Sequence, residues 1–195
     1  MPLTAEQLTI QLATALRAQG FQGAQVISLS RGIAQGFLRW MPTFRVQTAI
    51  TGPSGAGGGT GGFKILPGPG VGTLAANMTG FSLAGARAPA LARGVVLGLS
   101  SALNSQAQVI TQVTGVASGV GVGKLQNVRA AIAVPLFTSS LQASGLQGIL
   151  IPNLASALSV GLATWLQTGV VRTQVVGTPT VPAVTSVGTG IGIIR

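Results

Sequence analysis

Gly20-Phe-Gln-Gly-Ala-Gln-Val-Ile-Ser-Leu-Ser-Arg-Gly-Ile-Ala-Gln-Gly-Phe-Leu-Arg-Trp40 is matched without a gap by Gly145-Leu-Gln-Gly-Ile-Leu-Ile-Pro-Asn-Leu-Ala-Ser-Ala-Leu-Ser-Val-Gly-Leu-Ala-Thr-Trp165. Leu29 falls on Leu154, Ile33 on Leu158, Gly36 on Gly161 and Phe37 on Leu162. A third copy lies between them, where Gly85, Pro89, Leu91, Val95, Gly98 and Leu99 take the places of Gly148, Pro152, Leu154, Leu158, Gly161 and Leu162. Self-similarity at a fixed period is the signature of a repeat architecture.

The segments that follow repeat in the same order. Val46–Gly52, Val109–Gly115 and Val171–Gly177 share the pattern V-x-T-x-[IV]-[TV]-G. A glycine-rich return closes each copy at Gly59–Ile65, Gly119–Leu125 and Gly188–Ile194. In that alignment Lys64 and Lys124 are equivalent, a structural address for both. Each unit of about sixty residues therefore reads as helix, Gly turn, helix and hairpin, and the expected fold class is α+β. The units divide the chain at 1–67, 68–129 and 130–195, packed together as one domain, with Pro67-Gly-Pro69-Gly70 as the linker between the first two.

Within unit one, Leu8, Leu12 and Leu16 mark the buried face of a helix from about Thr4 to Gln19, with Thr4 as N-cap. Gly20 stops it, as a residue suited to the left-handed C′ position. The second helix buries Leu29, Ile33, Phe37 and Trp40. Gly36, Gly98 and Gly161 interrupt that face in every copy. Glycine inside a helix costs about 1 kcal/mol relative to Ala, so its recurrence predicts that another backbone packs against it. Val-x-Thr-x-Val alternates as a half-buried strand does. A lone two-stranded hairpin is barely stable in water, so the three hairpins are expected to share one sheet or to pair with neighbouring chains. The repeat offsets are equally compatible with a pseudo-threefold ring and with a linear stack.

Composition narrows the function. The 195 residues are 47% hydrophobic and 6% charged, and eleven Lys and Arg face a single acid, Glu6, for a net charge of +10. Ordinary domains carry about 25% charged residues, so a surface this poor in charge is expected to be covered by partner subunits. The cations are spread as singletons, which supplies bulk charge without a reading head. There is no His, Cys or Tyr, so a Ser–His–Asp triad, paired carboxylates, thiolate redox chemistry and a zinc site all lack their residues. Non-enzymatic function is the expectation, with no cofactor, metal or small-molecule substrate.

Gly57-Gly-Gly59-Thr-Gly-Gly62 satisfies G-x-G-x-x-G. A dinucleotide site needs that motif to open a helix, whereas Phe63-Lys-Ile-Leu-Pro67 follows, so the stretch reads as a hairpin tip. The run Ile149–Leu166 is apolar and long enough to span a bilayer. Its equivalents carry Arg31 and Arg39, and Arg87 and Arg93, each costing about 2.5–3.5 kcal/mol at a bilayer centre. Copies of one element share one environment, which argues against insertion; an integral membrane or pore-forming protein is a lesser alternative.

The Gly/Thr/Val-rich hairpin strings such as Val109–Gly123, with no cysteine and no basic-then-apolar secretory leader, resemble the virion structural proteins of tailed bacteriophages. That resemblance implies a neck, tail or baseplate component located in the virion after assembly in the host cytoplasm. It also implies other virion proteins and copies of the chain itself as partners, with possible non-specific DNA contact. The other alternative is a basic nucleic-acid-binding protein, although 4% aromatics leaves few stacking platforms. Arg31 and Arg39 on the outer face of the second helix, with Arg45 and Arg172 on the hairpin strands, are the candidate partner contacts.

Overall fold

The computed structural model describes residues 4–52, 56–80, 87–106, 108–114, 118–126, 129–168, 170–178 and 186–194, with the strands described by their backbone. Unit one comprises α1 (Ala5–Ala18), α2 (Ala24–Trp40), a 3-10 turn (Met41–Thr43), β1 (Arg45–Gly52) and β2 (Ala56–Lys64). Unit two comprises α3 (Pro67–Gly80), α4 (Ala88–Gln106), β3 (Gln108–Thr114) and β4 (Ser118–Gln126). Unit three comprises α5 (Ala130–Ala143), α6 (Ile151–Gln167), β5 (Val170–Thr178) and β6 (Ser186–Ile194).

Local sequence explains the helix ends. The Thr4 hydroxyl accepts the Gln7 amide at 3.3 Å, capping α1. At its other end Gly20 adopts φ +87°, and the Phe21 amide reaches back to the Leu16 carbonyl at 3.1 Å. Unit three repeats this with Gly145 at φ +89° and Leu146 bonded to Leu141 at 3.2 Å. A left-handed glycine satisfying the last carbonyls is a standard helix stop. The stretch read as a linker, Pro67-Gly-Pro69-Gly70, is instead the first turn of α3. Proline is well placed there, because a first-turn residue has no intrahelical acceptor for its N–H.

Each helix packs on the next, and α6 returns to α1, so the six close into a ring; the pseudo-threefold arrangement is the one adopted. The recurrent glycines are the interlocks. A Cβ on Gly36 would stand 3.0 Å from the Leu74 Cα, one on Gly98 3.0 Å from the Phe137 Cα, and one on Gly161 3.1 Å from the Leu12 Cα. Each second helix thus lays its glycine on the first helix of the following unit, and unit three lays its own on unit one. The interunit contact also has an aromatic seam. Phe37 meets Trp165 edge-on at 5.3 Å across it, and within unit one Trp40 meets Phe44 at 4.7 Å. Trp165 Nε1 donates to the Thr4 carbonyl at 3.2 Å and Asn153 Nδ2 to the Gln19 carbonyl at 3.2 Å, tying α6 to both ends of α1.

The expectation of an α+β fold, each unit a helix–turn–helix followed by a Gly-rich hairpin, is corrected by the helical content. Of the residues whose surroundings are described, 83% are helical. The described core lies among the six helices and their flanking residues. The physical reason is where the large apolar side chains fall. Leu12, Leu74 and Phe137, and Phe37, Leu99 and Leu162, are all helical and buried. The return strands carry glycine at every second position and offer little to a shared core.

The strand backbones pair antiparallel in a closed order, β1-β2-β3-β4-β5-β6. The register is threefold. Val46 pairs Phe63, Val109 pairs Leu125 and Val171 pairs Ile194. On the other side Gly192 pairs Val46, Gly61 pairs Val109 and Gly123 pairs Val171. One face therefore alternates β-branched positions with the glycines of G-x-G-x-G around the ring. Eight strands enclose just enough space for interior side chains, and a six-stranded ring closes more readily on a face where every second strand is glycine. Gly57–Gly62 lies inside β2 and is not a hairpin tip. Lys64 and Lys124 are also not equivalent: Lys64 pairs Arg45, the first residue of β1, whereas Lys124 pairs Ile110, the third of β3.

Not every helical glycine is an interlock. Gly72, inside α3, is exposed and a Cβ there meets nothing within 4 Å. Gly72→Ala is expected to stabilise the protein by about 0.4–1 kcal/mol, read as a raised urea midpoint at unchanged slope.

Candidate interaction surface

Pairs of helices and pairs of strands alternate along the chain, so β1 to β5 each have one terminus within a few residues of a helix. The charged strand residues all sit at that end. Arg45 opens β1, Lys64 closes β2, Lys124 is third from the end of β4, and Arg172 is third in β5. The register puts these four on the same face of the sheet, opposite to the glycine-bearing one. Arg45 pairs Lys64, Arg172 pairs Val122, and Lys124 stands two residues from Val122 on the same strand. Arg172 and Arg45 lie on the two strands that flank β6. Exposed Arg39, in the last turn of α2, and exposed Arg129, the N-cap of α5, join the same level from the helical side.

Of the four candidate contacts, the fold thus brings together Arg39, Arg45 and Arg172. Arg31 is exposed midway along α2, a separate place on the helical layer. Lys64, Lys124 and Arg129 are not among the contacts expected from the sequence, though each adjoins a helix–strand junction legible in the repeat. Like charges directly opposite on neighbouring strands are destabilising, and the Arg45–Lys64 pair is one such case. The single acid, Glu6, is exposed in the first turn of α1 and offsets one charge of the six.

A groove of about 470 Å³ is lined by Ile65, Pro67, Leu97, Ser100, Asn104 and Leu136, among others. Its polar groups serve the fold. Asn104 accepts the Ile65 amide at 2.9 Å and donates to the Ile65 carbonyl at 3.2 Å, while the Ser100 hydroxyl donates to Val96 at 2.7 Å. Among the described residues no group of three or more His, Cys, Asp or Glu gathers as a metal site, and no helix is long and apolar enough to cross a membrane. Large apolar side chains do reach the surface: Ile149 is 93% exposed beside Leu150 at the start of α6, and Ile10, Leu66 and Val160 are exposed elsewhere.

Comparison with family models, curated proteins and solved structures finds no match to this chain.

Proposed function

We propose that the protein is a non-enzymatic structural subunit of a large assembly, a neck, tail or baseplate component of a tailed-phage virion. The observation that carries the assembly reading is a surface with few charges and exposed large aliphatics, led by the adjacent Ile149 and Leu150. The strand backbones are already paired in a closed ring, so contacts to neighbouring chains are assigned to the outer helical surface instead of to open strand edges. Burial of exposed aliphatic surface drives such contacts at about 25 cal/mol per Å². The virion placement rests on the resemblance of the Gly/Thr/Val strings.

Light scattering after size-exclusion chromatography, in low-salt buffer without detergent, tests the reading. The expected mass is a multiple of 19.3 kDa, and Ile149→Gln with Leu150→Gln is expected to shift it towards the single chain. A monomer at every concentration would overturn the reading, and recovery only in detergent would favour a membrane protein.

A further inference from the structure

We infer that the junction between the helical ring and the strands is a binding surface for nucleic acid, engaging phosphates through Arg39, Arg45, Lys64, Lys124, Arg129 and Arg172. Chain connectivity and strand register place these six at one level, four of them on one face of five consecutive strands. The far ends of the strands carry Gly, Ala, Ser, Thr and Val, with no charge. A ring of like charges with one acid near it opposes folding, and a polyanion is the ligand that relieves it, with counterion release as the driving term.

The cations favour nucleic acid over an acidic protein ring because they share a level and not a repeat position. By register Arg45 corresponds to Gln108 and Val170, Lys124 to Gly62 and Ile193, and Arg172 to Gln47 and Ile110. A cyclic protein partner would meet the same residue in each copy. A phosphate backbone presents uniform charge and accepts cations wherever they fall along it. The inference depends on the assembly reading only for where that nucleic acid comes from, as the packaged genome.

The test is fluorescence anisotropy of the full chain with a 20-base-pair duplex between 50 and 200 mM salt. Six phosphate contacts predict an affinity loss of about a thousandfold across that range. Arg39→Gln, Arg129→Gln and Arg172→Gln together are expected to reduce the loss to about fortyfold, a slope shallower by about 2.7. Gln is the residue that unit one carries at the position of Arg172. The control, Arg17→Gln, Arg87→Gln and Arg93→Gln, removes the same charge from the rest of the helical layer and is expected to leave the slope unchanged. If the Arg172 substitution prevents folding, the pair at Arg39 and Arg129 is compared with the pair at Arg17 and Arg87. Equal losses from both sets, or no binding at 50 mM salt, would overturn the inference while the mass measurement still reports on assembly. Binding of poly-glutamate tighter than of duplex, and weakened by Arg39→Gln, Arg129→Gln and Arg172→Gln, would overturn it in favour of an acidic protein.

Discussion

Trp165→Ala is expected to lower stability by about 3–5 kcal/mol, a large part of the roughly 5–15 kcal/mol that holds a native domain together. Trp165 is fully buried, packs edge-on against Phe37 and bonds the Thr4 carbonyl, so it joins unit three to unit one. This junction closes the ring between segments far apart in sequence. Its loss therefore also removes the protection that α6 gives α1. Urea denaturation followed by far-ultraviolet circular dichroism gives the magnitude, and amide exchange gives the location, with α1 opening first. A change under 1 kcal/mol, or exchange spread evenly over the six helices, would mean that α6 does not hold α1.

The two indoles permit a sharper comparison. Trp40 is as buried as Trp165, yet its Nε1 has no hydrogen-bond partner among the described residues, whereas that of Trp165 is satisfied. Both substitutions to Phe remove similar volume. Only Trp165→Phe removes a bond, and the Thr4 carbonyl retains the Leu8 amide at 3.2 Å. Trp165→Phe is therefore expected to cost about 1 kcal/mol more than Trp40→Phe, the usual net worth of one hydrogen bond.

The helical half of each unit was legible because its signals are local and repeated. Thr4, Gly20 and the Leu8–Leu12–Leu16 spacing carry their own instructions, and three copies average out the noise of one. The interlocking glycines were legible for another reason. A residue that weakens a helix in every copy must relieve something outside that helix, and the Leu74, Phe137 and Leu12 backbones are what it relieves. What failed was inference across elements. A hydrophobic alternation such as Val46-x-Thr48-x-Ile50 does not say which layer supplies the core, and the described core is helical. Return strands were aligned on their glycine runs, where one repeat of G-x-G resembles the next shifted by two. Only the pairing of Val46 with Phe63 and Val109 with Leu125 fixes that shift. Pro67-Gly-Pro69-Gly70 has the composition of a linker, although proline suits a first helical turn. Gly70 has its own cause: a Cβ there would stand 2.4 Å from the Trp40 ring. For the site, the helix-borne Arg39 needed only amphipathic spacing. The gathering of Lys64, Lys124 and Arg129 beside it depends on strand register, which no window of sequence holds.

Substituting the interlocking glycines reverses the sign found for Gly72. Alanine gains about 1 kcal/mol of helix propensity over glycine anywhere in a helix interior, but at Gly98 the new methyl would lie 2.6 Å from Phe137 Cδ1 and 3.0 Å from its Cα. The ring is able to rotate. The backbone yields only if α4 and α5 move apart, and overpacking of that kind costs typically 1–3 kcal/mol. Gly161 meets Leu12 at 2.8 Å through a flexible methyl, and Gly36 meets nothing nearer than 3.0 Å. The expected order of destabilisation is thus Gly98→Ala, then Gly161→Ala, then Gly36→Ala. Gly98→Val, with two more carbons at the same crossing, is expected to lose about 3 kcal/mol or more. Because the three crossings are related by the internal threefold and share no partner, the three alanine changes together should cost close to the sum of the singles. Equilibrium unfolding of the three single alanine variants, their combination and Gly98→Val, against Gly72→Ala, decides the matter. Should Gly36→Ala, Gly98→Ala and Gly161→Ala all stabilise as Gly72→Ala does, the helices are not held at backbone contact and the recurrence of glycine needs another cause.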